Sequence, residues 1–225
     1  MSTSYSVIIP AYNAADTIAE TIESALRQTV SPARILVIDD GSTDATRMIA
    51  ETFGGCVGVQ SQANLGPGAA MSLGMRQCDS PLIASIDADD IWLPEKIQRQ
   101  LDYLHRHPKC DGVFARMRHF GETVVSDVIQ DGWGRSTMLI RRMVYDCLGD
   151  IVDPAGRRGE MIDWIARARE GGMELTMLPD VLALRRVSSS SLSAGRDSQR
   201  DRSYAQVAIA ALRRKRARLN GVSGT

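Results

Sequence analysis

Tyr5–Pro10 (YSVIIP) is a short apolar run of the kind a strand buried on both faces requires. Arg34–Asp39 (RILVID), Cys56–Gln60 and Leu82–Ile86 (LIASI) repeat it. Between these runs the apolar positions change to helical spacing. Ile18, Ile22, Ala25 and Leu26 share one face, with Asn13 placed to cap the helix and Asp16 at its third position. Ser42 or Thr43 is placed to cap a second helix through about Thr52. Small residues from Ala69 to Arg76 form a third, and Pro94 opens a fourth that runs to about His107. Strands alternating with helices predict an α/β fold, a parallel sheet covered on both faces.

The second half is less regular. Gly112–Phe120 and Ser136–Ile140 suit strands, and Arg141–Leu148 and Gly159–Glu170 suit helices. Glu174–Leu178 and Val181–Val187 suit two strands around a Pro179-Asp180 turn. The tail from Ser198 to Leu219 suits a helix with Tyr204, Val207, Ala208, Ala211 and Leu212 on one face.

Composition narrows the function classes. At 225 residues with 44% apolar content, the chain suits one large domain with a sizeable core. Lys plus Arg equals Asp plus Glu at 27 each, so net charge points to no nucleic-acid partner. The halves differ: residues 1–112 hold 8 Lys/Arg against 14 Asp/Glu, and residues 113–225 hold 19 against 13. Cys56, Cys78, Cys110 and Cys147 form no CxxC pair, which fits reduced, mostly buried thiols. No signal peptide and no membrane-length apolar run is visible, so a cytoplasmic protein is expected.

The polar clusters all fall just after strands, where open α/β sheets bind ligands. LIASI runs directly into Asp87, Ala88, Asp89 and Asp90, then Trp92. Carboxylates this close repel, and an Asp-x-Asp at a strand mouth is a hard-oxygen site for Mg2+ or Mn2+. The plainer alternative is a solvated acidic turn. Asp39 and Asp40 suit either acceptance from a nucleobase N–H or an ordinary turn. Asn64-Leu65-Gly66-Pro67-Gly68 suits either close approach of backbone to a ligand or a turn before a helix. No GxGxxG, GxSxG or Walker A sequence is present.

Taken in order, SVIIPAYNAADTIAETIESALRQT, ILVIDDGSTDAT, ANLGPGAAMSLGM and IASIDADDIWLPEKIQRQL resemble family 2 glycosyltransferases. The resemblance implies a GT-A fold, with a mixed, mostly parallel sheet and helices on both faces. It implies a nucleotide-diphosphate sugar donor, Mn2+ or Mg2+, and single displacement with inversion. By position, Pro10, Ala11 and Tyr12 would line the nucleoside pocket with Asp39 on the base. Asp40, Asn64, Gly66 and Ala88 would join the donor site. Asp87 and Asp89 would hold metal and diphosphate, Asp89 being the main metal ligand, and Asp90 and Trp92 would shape the sugar pocket. Residues 1–110 would be the donor half, 111–187 the acceptor half, and 188–225 a Ser-rich loop and basic helix.

Two departures stand out. Many members carry a Glu-Asp pair whose Asp is the base; here Met161 follows Glu160, and Glu160 or Asp163 is left for that role. Many also carry a His where Ser188 stands. These keep two rivals open: a degenerate glycosyltransferase-like binding protein and, on a related fold, a sugar nucleotidyltransferase. The resemblance implies a hydroxyl acceptor and leaves its class open between a glycan, a lipid-linked compound and a small molecule. The tail from Arg213 to Arg218 suits a solvated helix end on a packed helix, or peripheral attachment at the inner membrane face.

Overall fold

A computed structural model describes residues 4–121, 127–153, 159–187, 209–214 and 216. In chain order the elements are β1 (Tyr5–Ala11), α1 (Ile18–Leu26), β2 (Arg34–Asp39), α2 (Thr46–Glu51), β3 (Val57–Ser61), α3 (Pro67–Arg76), β4 (Leu82–Ser85) and β5 (Ile91–Trp92). Then come α4 (Lys96–Arg106), β6 (Gly112–Phe120), β7 (Ile129–Asp131), a 3-10 turn (Arg135–Thr137), β8 (Leu139–Arg141), α5 (Arg142–Leu148), α6 (Glu160–Glu170) and β9 (Leu175–Arg186).

All seven residues of β1 are buried, because layers cover both of its faces. Tyr5, Val7, Ile9 and Ala11 point into one core with α1 and α4; Ile8 points into the other with α3, α5 and α6. The strand order is β3-β2-β1-β4-β8-β6-β9-β5, with β7 beside β6. The first four strands are parallel, and β8 joins β4 antiparallel, so both halves of the chain share one sheet. Successive crossovers move outward from β1 to β3, then return to place β4 on its other side. The carboxyl ends of β1 and β4 therefore flank the point where strand order reverses, which is where such sheets open a crevice. The α3 helix lies close over β1 because Gly74 carries no side chain; a Cβ there would run into Cγ2 of Ile8.

Several expectations give way to long-range contacts. Asn13 does not cap α1: it takes a left-handed φ of 48° and its Oδ1 accepts from Thr43 N at 2.9 Å. Neither Ser42 nor Thr43 caps α2; Asp44 Oδ1 accepts from Thr46 N at 3.0 Å instead. Leu26 is exposed. Pro179-Asp180 makes no turn between two strands: β9 is continuous and parallel to β6, whose register slips between Ala115↔Leu178 and Arg116↔Val181. Two residues bulge out there, which suits a proline with no N–H to donate. Residues 135–137 form a 3-10 turn, leaving only Leu139–Arg141 as strand. Cys56 and Cys147 are exposed rather than buried.

In the tail, residues 209–214 are helical, whereas Tyr204, Val207, Ala208 and Ser188 lie outside the described residues. Leu212 is 66% exposed rather than packed. The basic end is not wholly solvated: Arg214 lies 2.8 Å from Asp163 and 3.0 Å from Glu170 on α6. Among the described residues no helix is long and apolar enough to cross a membrane.

Candidate active site

The strand mouths bring the first three motifs together. Ala11 ends β1 directly opposite Asp39 on β2. Pro10 and Ala11 are buried in the strand, while Tyr12 beyond them is half exposed. The loop after β1 is clasped to the loop after β2, with Asn13 N donating to Ser42 Oγ at 3.0 Å and Ala15 N to Asp44 at 3.1 Å. Asp39 is buried and accepts from Ser42 N and Ser61 Oγ, both at 3.1 Å. Asp40 is equally buried and anchors the next loop. It accepts from Gln62 Nε2 at 2.7 Å, Leu65 N at 2.9 Å and Gly66 N at 2.8 Å. Asn64 is exposed on that loop.

Gly66 and Gly68 have a specific steric reason. Asp153 accepts from Gly68 N and Ala69 N, each at 3.0 Å, and a Cβ on either glycine would meet its carboxylate at 2.8 Å. The glycines admit a carboxylate of the chain itself to the start of α3.

The 87–90 turn is held from α1. Thr17 and Thr21 donate to Ala88 O at 2.9 and 3.0 Å, and Thr21 reaches Asp90 O at 2.8 Å. The four consecutive residues then separate by environment. Asp87 is paired with Arg135 Nε at 2.5 Å. Ala88 is buried. Asp90 is sealed in, accepting from Ser136 Oγ at 2.5 Å and Arg186 N at 2.9 Å. Burial, and then the charges of Asp87 and Asp89, push its carboxyl well above the usual range. Trp92 is 2% exposed and turned inward, its Nε1 donating to Ser136 O at 2.6 Å. Asp90 and Trp92 thus support the turn from beneath.

Of the Asp-x-Asp pair, Asp89 makes no direct ion pair among the described residues, whereas Asp87 is held by Arg135. Burial and the Asp87 charge push it up to about 6, so its own ionised form is disfavoured. Among the described residues no three His, Cys, Asp or Glu side chains converge as a closed metal cage. One or two carboxylates with room for phosphate oxygens and water is how Mg2+ and Mn2+ are held at phosphate sites, so these residues fit such an ion.

On the acceptor side, Gly159 starts α6 in the left-handed region at φ 86° and turns Glu160 inward. Glu160 is buried and ion-paired with Arg135 Nη1. Asp163 belongs to a different network, with Arg167 at 3.2 Å and Arg214 at 2.8 Å. Glu160 and Asp163 therefore do not converge on one point. Met161 is packed in the core.

Thr17, Thr21, Arg135, Ser136 and Asp153 are absent from the sequence-derived site. A signal was visible for the two threonines alone. Thr17, Thr21 and Ser24 fall at helical spacing beside Ile18, Ile22 and Ala25, and Ser24 Oγ accepts from Trp92 N at 3.1 Å.

Comparison with known proteins follows the same lines. The family model described as Glycosyl transferase family 2 matches residues 6–173. An uncharacterized glycosyltransferase of Rickettsia prowazekii is 36% identical over 101 residues, 45% of this chain and 32% of that protein. Chondroitin synthase of Escherichia coli is 38% identical over 117 residues, 51% of this chain and 17% of that one. The chain thus spans about a third or less of the curated relatives it matches. Among solved structures, S. aureus TarS 1-349 in complex with UDP-GlcNAc matches with a TM-score of 0.73 and 19% identity, over 92% of this chain and 66% of that one. Mannosyltransferase PcManGT from Pyrobaculum calidifontis, in complex with GDP-Man and Mn2+, matches with a TM-score of 0.71 and 19% identity, over 93% and 64%. At that identity these two bear on the fold alone.

Proposed function

We propose that this chain, which belongs to glycosyl transferase family 2 and has the GT-A fold, moves a sugar from a nucleotide-diphosphate donor to a hydroxyl acceptor. The observation that carries the reading is Asp89, a carboxylate disfavoured in its own charged form at the mouth of β4, beside the β1–β2 cleft. A divalent cation bound there would neutralise charge growing on the departing diphosphate. Asp39, fixed by Ser42 and Ser61, would accept from a nucleobase N–H. Tyr12, half exposed at the same edge, would stack on the base. That solved neighbours were captured with UDP-GlcNAc and with GDP-Man and Mn2+ supports this donor class.

Glu160 is the residue we assign to take the acceptor proton in a single, inverting displacement. It faces the Asp87 side of the site through Arg135, whereas Asp163 is held between two arginines on α6. The test is thermal melting with UDP and GDP, each with and without Mn2+, followed by Mn2+-dependent hydrolysis of UDP-GlcNAc and GDP-mannose. A metal-dependent rise in Tm with a nucleoside diphosphate is expected, because a ligand of the folded state stabilises it by mass action. No rise with either nucleotide in the presence of Mn2+ would remove the reading. Binding without any turnover would favour the degenerate, binding-only alternative, which the apolar Met161 keeps open.

A further inference from the structure

We propose that Arg135 is a built-in counter-cation. It is a positioning residue that ties Asp87 to Glu160 and so restricts the site to one divalent ion, at Asp89. The inference rests on the proposed function for its meaning but on the chain's own geometry for its support.

The turn that carries Arg135 is fixed to an unusual degree. Its four successive carbonyls each accept from a different buried side chain. Ser85 Oγ donates to Arg135 O at 2.8 Å, and Trp92 Nε1 to Ser136 O at 2.6 Å. Gln100 Nε2 donates to Thr137 O at 2.6 Å, and Lys96 Nζ approaches Met138 O at 3.4 Å. Ser136 Oγ, on the same turn, accepts from Asp87 N at 3.1 Å and binds the Asp90 carboxylate. Strand β4, strand β5 and helix α4 therefore converge on one turn and aim a single guanidinium. A surface arginine would not need such support, since its long side chain finds its own geometry.

That guanidinium is 15% exposed and forked between the two halves of the site: Nε on Asp87, Nη1 on Glu160. Burial alone would disfavour its charge, but Asp87 and Glu160 more than offset this and hold it firmly protonated. A permanent unit charge thus stands where two carboxylates face each other. A planar fork fixes both at once, which a point charge cannot do as well. With Asp87 already compensated, a divalent ion at the Asp-x-Asp turn is left with Asp89, on which Arg135 and Arg185 act only at longer range. A second ion between Asp87 and Glu160 would have to displace Arg135.

The test uses Mn2+ alone, titrated into the full chain and followed by loss of the free-ion signal in electron paramagnetic resonance. Arg135→Gln leaves Asp87 and Glu160 without their cation. Its Mn2+ affinity should rise about tenfold or more over the parent, since removing a unit charge a few ångströms away in a partly buried site has at least that effect. A second equivalent of Mn2+ should also bind. Arg135→Lys keeps the charge and should stay within a few-fold of the parent. If Arg135 only braces the fold, folded Arg135→Gln will bind Mn2+ no better than the parent, and that result overturns the proposal. Should Arg135→Gln fail to fold, Glu160→Gln decides: it leaves Arg135 less compensated, so Mn2+ binding should weaken, and unchanged binding refutes the inference. No donor or acceptor enters these measurements. A parent chain that binds no nucleotide while these Mn2+ shifts appear would therefore remove the glycosyltransferase reading and leave the counter-cation standing.

Discussion

Lys96 is wholly buried at the start of α4, and among the described residues no carboxylate pairs with it. Its Nζ donates to Gln100 Oε1 at 2.8 Å and stands 4.1 Å from the centroid of the Trp92 ring. Burial drives its amine well below the ordinary lysine value. The consequence for stability has a definite sign. Between the folded and unfolded values the unfolded chain holds one more proton than the folded chain. Stability therefore rises with pH across that window and levels off above the unfolded value near 10.5. Below the folded value both states are protonated, and the deficit stands in full. Inside the window the slope from this one group approaches about 1.4 kcal/mol per pH unit. Lys96→Met keeps most of the volume and removes the titration. It also strands Gln100 Oε1, at a pH-independent cost of about 1–3 kcal/mol. Urea unfolding of parent and variant every half pH unit from 7 to 10 separates these effects. The difference between the two curves should climb with pH by up to the single-proton slope, while the stranded oxygen only offsets it. Parallel curves would refute the reasoning and show that Lys96 stays charged, sustained by Trp92 and the two oxygens.

Asp89→Ala should abolish the Mn2+-dependent Tm rise with nucleoside diphosphates and, in the absence of metal at neutral pH, raise the urea midpoint, because it removes a carboxylate whose ionised form is disfavoured in the folded chain; retained binding would move the cation elsewhere. Glu160→Gln should lower turnover by about 10²–10⁴-fold with donor binding little changed, measured on whichever donor the parent hydrolyses; a severe loss in Asp163→Asn instead would reverse the assignment. Gly74→Ala should cost about 1–3 kcal/mol in urea unfolding, because its Cβ collides with Ile8, and trimming Ile8 to Ala in the double variant should recover part of the collision.

Three of the four parallel strands were legible as short apolar runs bounded by turn signals, the edge strand β3 (Val57–Ser61) was fainter because it is half polar, and the helices between them carry one-sided spacing. Both signals are local. The rest of the fold depends on partners far away in sequence. Strands β5 and β7 are two and three residues long, too short to show a period. Strand β9 carries Pro179-Asp180, which reads locally as a turn; the sheet absorbs it as a bulge because β6 lies alongside on both sides of it. Of the site, the Asp-x-Asp position was readable from its place after LIASI. The fates of its members were not. Nothing near Asp87 or Asp90 in sequence announces Arg135 or Ser136, 46 to 49 residues later. Likewise the glycines of Asn64–Gly68 suggested a ligand, and the carboxylate they admit is Asp153.

These placements share one electrostatic logic. Asp87, Asp89, Asp90, Asp153 and Glu160 all lie within range of one another or of Arg135. A single guanidinium cannot compensate five carboxylates, and the molecule deals with the excess in three ways. Asp87 and Glu160 share the guanidinium. Asp153 draws on the N–H groups that open α3, though burial still raises it. Asp90 is sealed away, where the neutral acid is favoured. Asp89 receives only the more distant charges of Arg135 and Arg185, which do not outweigh burial and the Asp87 charge. Between pH 3.8 and about 6 the folded chain holds its proton while the unfolded chain releases it, so stability falls as pH rises through that window. At neutral pH the repulsion at Asp89 stands in full. A divalent cation is what would relieve it, which makes the raised carboxylate of the turn that still ionises at neutral pH also the one a cation would stabilise most.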